Sequence, residues 1–547
     1  MKYFQGEPLR HVGDLPAMGA ERYRGKLAVE YRGEQRSYAD LETRANKVAN
    51  ALVAQGVDPG DRVALYLENS LQFPEALFGT IKAGAVAVPL NHRMDLDSLR
   101  YIIDDAGADV LVGSDVFPSV VADLAEQVPT TLFPGGGDGY EDYDAVVEAA
   151  DPEFETRDRA FDDVALQPYT SGTTGDPKGV LTTHENLLAT AQSYQSRSGT
   201  DPETDVALLV LPLFHMYGLS TVLLTQLYGG GTVVLKTLPV PSALLQAITD
   251  HEVTQFAGIP AIFIEMLSEY ESNPEAYDLS SVETLGSGAA PLADDTRRRI
   301  ERAFGCQLTE GWGMTETSPA GTTDSVYGPA KAAGCIGQPL PDVEMRLVDP
   351  GTREVRVSEA TLDPTTPPDV DHLDFDDEEQ VTGEIAIRGP NVFAGYHDLP
   401  EKTEEVFDSE GWFYTGDIAR VDADRYLWMV DRADDMLIVG GENVYPAEVE
   451  DALFEHPDVQ AAAVVAAPHE VKGEAPVAFV VTEPDAEVSE RALREFALQH
   501  VPSYAHPRRV FFVDELPRSG TRKVQRYKLE QRAEERLDGP LASSEEL

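Results

Sequence analysis

The stretches "DRVALYL" (61–67), "SLQFPEALFGTIKAG" (70–84) and "AVAVPLN" (85–91) decide the fold class. The outer two are short apolar runs of strand length, and the middle one repeats apolar residues at helical spacing. Strand, helix and strand in close succession predict parallel strands joined by a crossover helix. The pattern extends in both directions. Upstream, "SYADLETRANKVANALVAQG" (37–56) predicts a helix capped by Ser37 and Asp40, with Leu41, Ala45, Val48 and Leu52 on one apolar face. Downstream, "LRYIIDDAGADVLVG" (99–113) adds another helix and strand. The fold class is α/β, a mostly parallel sheet covered by helices.

The chain has 547 residues, a net charge of −53 and two cysteines, Cys306 and Cys335. Two cysteines give neither a disulfide framework nor a structural zinc cluster. No run reaches the roughly 18 apolar residues of a membrane span, and the start lacks a secretion signal, so a cytoplasmic protein is expected. The acidity disfavours nucleic acid as a partner, because no basic patch is present to neutralise phosphates. Self-repulsion on this scale destabilises a compact state in dilute buffer. At about 1 M salt the screening length falls to roughly 3 Å, and a salt-rich cytoplasm is the expected habitat.

"YTSGTTGDPKGV" (169–180) follows the strand-like "VALQPY" and precedes "TTHENLLATAQSYQ", where Thr182 and Glu185 have capping-box spacing. This reads as a strand–loop–helix connection whose backbone N–H groups converge on an anion. Lys178 is not a Walker lysine, since the order is Pro177-Lys178-Gly179. In "GWGMTETSP" (311–319), Trp312 offers an aromatic face, Thr315 a hydroxyl and Glu316 a hard oxygen suited to Mg²⁺. In "YTGD" (414–417), Asp417 suits a ribose; Arg432 suits a second sugar or phosphate contact, or equally an ion pair with a neighbouring acid. "LPRSGTRKVQRYKLE" (516–530) holds Lys523 beside Arg518, Arg522 and Arg526.

Two segments, 134–144 and 358–380, read as acidic surface insertions. Near Arg432 the texture changes to short strands and helices, which places a domain boundary there. Residues 1–431 form one domain and 432–547 a smaller α+β domain.

These motifs, with "LPLFHMYGL" (211–219), "GSGAAPL" (286–292) and "DRADDMLIVGGENVYPAEVE" (431–450), resemble in order and spacing the AMP-forming acyl-CoA synthetases of the adenylate-forming superfamily. The resemblance spans about residues 30–530. It implies a large N-terminal domain of helix-flanked sheets with a small β-barrel-like subdomain, and a mobile C-terminal domain. It implies ATP, Mg²⁺ and coenzyme A as cofactors and a carboxylic acid as substrate; a homo-oligomer is compatible with it.

Position by position, Thr170, Ser171, Gly172, Thr173, Thr174 and Gly175 would hold polyphosphate and Lys178 would balance its charge. Ser287, Gly288 and Ala289 would line the adenine site. Trp312, followed by Gly313 and Met314, would stack on the ring where many relatives carry tyrosine. Thr315 would meet the α-phosphate and Glu316 would hold Mg²⁺. Asp417 and Arg432 would bind ribose. Lys523 would bridge acyl carboxylate and α-phosphate, although Arg522 stands where relatives have glycine. Asp434 would be the hinge, Gly440 and Gly441 would line the pantetheine tunnel, and His215 would gate the acyl site.

An apolar acyl pocket is expected from Met216, Leu219, Ile259, Phe263 and Gly286. The acid–CoA ligase reading competes with a stand-alone adenylating enzyme that loads a carrier protein, and with a non-catalytic nucleotide-binding protein.

Overall fold

The computed structural model describes residues 3–4, 7–8, 11–137, 140–170, 177–198, 201, 203–288, 292, 294–324, 331–332, 334–367, 370, 372–432, 435–439, 442–469, 472–484, 486, 488–518, 524–537, 539 and 541. The chain divides into two compact units. One comprises residues 1–345, 359–368 and 387–413; the other comprises 346–358, 369–386 and 414–547. The second unit thus gathers more chain than the expected 432–547 segment.

The α/β class holds. In the first unit, β1 (Leu27–Tyr31) precedes α1 (Tyr38–Ala54), whose N-terminus carries the Ser37–Asp40 capping box. Next come β2 (Arg62–Tyr66), α2 (Gln72–Lys82), β3 (Val86–Pro89), α3 (Leu96–Ala106) and β4 (Ala108–Gly113). Strands β2, β3 and β4 are parallel neighbours, as the crossover helices require. Helix α2 is buried along Phe73–Lys82. A Cβ on Gly79 would lie 2.5 Å from Val48, so glycine is what lets α1 and α2 meet. The charges this helix carries inward are paired. Glu75 accepts from Arg36 and Arg44 at 2.9 Å each, and Lys82 donates to Glu42 at 2.8 Å. Removing one partner would leave an uncompensated buried charge, at a cost of about 3–5 kcal/mol.

The chain then forms β5 (Val164–Leu166), β6 (Tyr169–Thr170), β7 (Lys178–Thr183) and α4 (His184–Ser198). The expected strand–loop–helix is corrected here. Thr170 pairs with Lys178 and Leu166 with Thr182, so the loop joins two antiparallel strands and Lys178 opens the second. Thr182 is fully buried in the ladder. The helix cap falls one residue later, where Thr183 and Asn186 exchange side-chain-to-backbone hydrogen bonds of 2.7 and 3.2 Å.

A second parallel sheet of this unit runs in the order β12 (Leu308–Trp312), β11 (Thr284–Ser287), β10 (Gln255–Gly258), β8 (Val206–Leu209), β9 (Thr232–Leu235) and β1. The crossover from β8 to β9 includes a π-helical stretch, Tyr217–Leu224. Such stretches are rare and gather at functional sites.

In the second unit, strands Val459–His469 and Gly473–Thr482 form a long antiparallel pair with Arg509–Phe512 added in parallel. Helices Pro446–Phe454, Glu490–Ala497 and Arg526–Arg536 accompany them. The expected barrel-like subdomain is instead an open ladder. Val355–Val357, Glu344–Val348, Thr382–Arg388, Phe413–Val421 and Leu427–Arg432 follow one another without closing among the described residues. Segment 358–380 is more than a loop: it contains short helices at Glu359–Leu362 and Glu378–Val381, and Leu362 is fully buried. In segment 134–144, Tyr143 is likewise fully buried.

Candidate active site

The site in the first unit is assembled by one short strand, β13 (Gly395–Tyr396), which pairs antiparallel with β7 at Val180↔Tyr396. The pairing carries the Tyr396 ring beneath Lys178, whose Nζ lies 4.5 Å from the ring centroid. The Tyr396 hydroxyl donates to Glu316 Oε1 at 3.0 Å. A cation and a carboxylate 138 positions apart are thus brought to one phenol, the first over its ring and the second at its hydroxyl.

Backbone and amide contacts fix this geometry. Phe393 N donates to Glu316 O at 2.8 Å, and His397 N donates to Gly179 O at 2.8 Å. Asn186 Nδ2 donates to Pro390 O and Val392 O at 2.8 Å each, and Asn391 Nδ2 donates to Thr317 O at 3.2 Å.

Glu316 is buried, in a 3₁₀ turn (Thr315–Thr317) reached from β12 through Gly313 and Met314. Met314 N donates to Thr317 Oγ1 at 3.0 Å. A Cβ on Gly313 would fall 1.9 Å from Pro319 O, so only glycine passes there. Glu316 supplies one hard oxygen donor of the kind Mg²⁺ takes when phosphates provide further ligands.

Beside this turn a cavity of about 210 Å³ opens against the second sheet. Gly288 and Trp312–Gly313 lie at one end; Tyr217, Val222, Ala257 and Gly286 form its sides. A Cβ on Gly288 would lie 3.2 Å from the Tyr217 ring, so the glycine keeps this volume open. Of the expected pocket residues, Gly286 lines the cavity. Met216, Leu219 and Phe263 belong instead to the hydrophobic core, and Ile259 packs against it. His215, the expected gate, has an exposed side chain; its ring centroid lies 5.0 Å from that of Phe214.

Register sorts the side chains of β11 and β12. Gly286 pairs with Thr309 and Ser287 with Glu310. Because successive residues alternate faces, Gly286 faces the cavity while Ser287 and Glu310 point to the opposite face. There Ser287 Oγ and Glu310 Oε2 are buried without hydrogen-bond partners among the described residues. Burial pushes the Glu310 carboxyl up to about 7, partly offset by the Leu292 backbone and the Arg297 charge.

In the second unit, Asp417 and Arg432 face each other across an antiparallel pair, with Arg432 Nε 3.4 Å from Asp417 Oδ1. Arg526 belongs to structure. Its Nε lies 3.2 Å from Asp435 Oδ2, its Nη2 donates to Glu450 at 3.2 Å, and its Nη1 donates to Val464 O at 2.8 Å. Ser171, Gly172, Thr173, Thr174, Gly175, Ala289, Asp434, Gly440, Gly441 and Lys523 lie outside the described residues.

A model of the AMP-binding enzyme family matches residues 17–397, and one of the AMP-binding enzyme C-terminal domain matches 448–523. The chain belongs to this AMP-binding enzyme family. CoA ligases predominate among its curated relatives. A feruloyl-CoA synthase of Amycolatopsis sp is 36% identical over 515 residues, 94% of this chain and 97% of the relative. A long-chain-fatty-acid–CoA ligase of Bacillus subtilis (strain 168) is 30% identical, covering 95% and 94% of the two chains. Among solved structures, ATP-bound MatB from Rhodopseudomonas palustris superposes with a TM-score of 0.82 at 32% identity, over 95% of this chain and 98% of that one.

Sequence reasoning missed Tyr396, the residue that touches both Lys178 and Glu316. Its strand is two residues long, too short for any periodicity. The available signal is the pair Gly395-Tyr396, in which Gly395 adopts φ +141° and a Cβ would lie 2.8 Å from Thr403. Tyr396→Phe removes the hydrogen bond to Glu316 and keeps the ring under Lys178. We expect adenylation, measured as ATP–pyrophosphate exchange, to fall roughly ten- to hundredfold. Tyr396→Leu, which also removes the cation–π contact, should fall further. Equal rates for the phenylalanine variant and the wild type would show the hydrogen bond to be idle.

Proposed function

We propose that this chain is an AMP-forming acid–CoA ligase acting on a compact, aryl-sized carboxylic acid. The observation that carries the proposal is the convergence of Lys178 and Glu316 on Tyr396. A carboxylate oxygen attacks the α-phosphorus of ATP; the new P–O bond gives acyl-AMP, and the bond to the β-phosphate oxygen breaks to release pyrophosphate. Two anions must meet, so the work is positioning and charge neutralisation. Lys178 offsets charge on the departing pyrophosphate. Mg²⁺ held by Glu316 would supply further neutralisation of the phosphates. Asp417 and Arg432 are suited to the ribose, and Lys523 to bridging the two reacting anions. The coenzyme A thiol then displaces AMP from the acyl carbon, a step for which a hinge at Asp434 and glycines at 440 and 441 are suited.

The aryl preference is supported by the similarity to feruloyl-CoA synthase and by a further relative, a 4-coumarate–CoA ligase of Arabidopsis thaliana at 33% identity. An engineered 150 Å³ cavity accepts benzene; the cavity here, at about 210 Å³, has room for a ring and a short linker. The net charge of −53 supports a salt-rich intracellular setting. ATP–pyrophosphate exchange over a panel of aryl and alkyl acids, run in concentrated KCl, tests the activation step. Thioester formation with coenzyme A, compared with a phosphopantetheinyl carrier protein, tests the acceptor. Exchange with no acid would end the ligase reading; transfer to the carrier alone would replace it with the carrier-loading one.

A further inference from the structure

We propose that the acid activated by this chain carries a second anionic group, a carboxylate, at the end remote from the reacting one, and that Arg197 selects it. The proposal rests on the ligase reading and sharpens it.

The cavity has a direction. Strands β10, β11 and β12 are parallel, and their C-terminal ends lead to Gly258, Gly288 and Gly313. The motif residues lie at that end. The opposite end is formed at the starts of the strands, where Gln255 pairs with Thr284. From Gly288 back to Thr284 is four residues, roughly 13 Å at strand rise.

Helix α4 connects the two ends of the chain path that frames the cavity, from β7 to the start of β8. It begins where Asn186 holds Pro390 and Val392 beside the turn of Glu316, and ends shortly before β8 starts at Val206. Arg197 is eleven residues beyond Asn186, roughly 16 Å along the helix. It lines the cavity, as do Ala207, Gln255 and Thr284, which the strand register places at the end remote from Gly288.

Among the described residues Arg197 has no counter-charge. In a chain with 96 acidic and 43 basic residues, almost any exposed arginine could find a carboxylate. Yet Arg197 makes no ion pair or hydrogen bond among the described residues, and its Nε is buried without a partner. Of the acids that line the cavity, Glu310 points to the other face of the sheet, and Asp324 sits beside Glu310 through its backbone N–H, not at the Arg197 end. A guanidinium in a partly enclosed cavity, with no carboxylate partner among the described residues, is matched by a carboxylate that arrives with the ligand, held by two parallel N–H···O bonds. A site built for such a group rejects an analogue lacking it by a large factor.

The test is ATP–pyrophosphate exchange with 4-carboxycinnamate, 4-hydroxycinnamate and 4-methylcinnamate, comparing wild type, Arg197→Lys and Arg197→Met. We expect wild type to prefer the 4-carboxy acid over the 4-methyl acid by roughly 100-fold in kcat/KM. The ratio should shrink in Arg197→Lys and fall to near one in Arg197→Met, with ATP-induced thermal shift reporting that each variant is folded. Wild-type preference for the 4-hydroxy or 4-methyl acid, or an unchanged ratio in Arg197→Met, would overturn the assignment while leaving the ligase reading intact. Exchange with none of the three acids, nor with any acid of the wider panel, would remove both.

Discussion

Lys523→Ala loses ATP–pyrophosphate exchange by roughly 10²- to 10³-fold, the scale of removing one electrostatic contact to a developing charge, and keeps thioester formation from supplied acyl-AMP. The reason lies in which step needs a second cation. In the first step a substrate carboxylate closes on a triphosphate, and Lys178 is anchored at the start of a strand beside Tyr396. A lysine so anchored serves the leaving group, and the two reacting oxygens need a separate positive group. In the second step the nucleophile is a thiol and the leaving group is AMP, so no such pair of anions must be joined. Stopped-flow measurement of each half-reaction decides the matter. Equal loss in both steps would mean that Lys523 supports the fold of its loop rather than the first reaction. The opposite split is expected for Asp434→Pro, which stiffens the proposed hinge and so should spare adenylation and block transfer to coenzyme A.

Glu310→Gln stabilises the protein at alkaline pH. The Glu310 carboxyl is 8% exposed, and its midpoint is raised from 4.5 to about 7. Below pH 4.5 it is protonated in both folded and unfolded chains and contributes no pH dependence. Between pH 4.5 and 7 the unfolded chain releases the proton and the native one retains it. The native state then binds more protons, and stability falls as pH rises. Above pH 7 the penalty is complete, about 3 kcal/mol. Glutamine imitates the protonated acid and can keep an acceptor oxygen toward Leu292 N. Its stability should therefore be level across this window and exceed wild type by up to about 3 kcal/mol at pH 8, as measured by urea denaturation in concentrated salt. A wild-type curve that is flat from pH 5 to 8 would contradict the buried, neutral carboxyl.

Much of this was legible in the residues. The alternation of apolar runs from 37 to 113 gave the parallel sheet and its helices, because strand and helix periods are local properties. Asp417 and Arg432 could be named from short motifs, and the ion pair between them is the one with a neighbouring acid that Arg432 equally allowed. The seven-residue gap between Thr170 and Lys178 was misread because a helix cap and a strand ladder place threonines alike; only the pairing of Leu166 with Thr182 separates the two. Tyr396 and Arg197 were invisible for another reason. Each acquires its meaning from partners contributed by chain far away, or from the lack of one among the described residues. The pocket residues Met216, Leu219 and Phe263 were misassigned because an apolar side chain looks the same whether it lines a void or fills a core.

The charges carried inward by the second helix bear on how the molecule meets a change of medium. Glu75 and Lys82 are buried and their partners Arg36, Arg44 and Glu42 partly so, and added ions therefore alter their attraction much less than that between exposed charges. The acidic exterior has no such protection. Dialysis into dilute buffer therefore strains the skin and leaves these interior clasps as they were, and the N-terminal layers around them should be among the last to come apart.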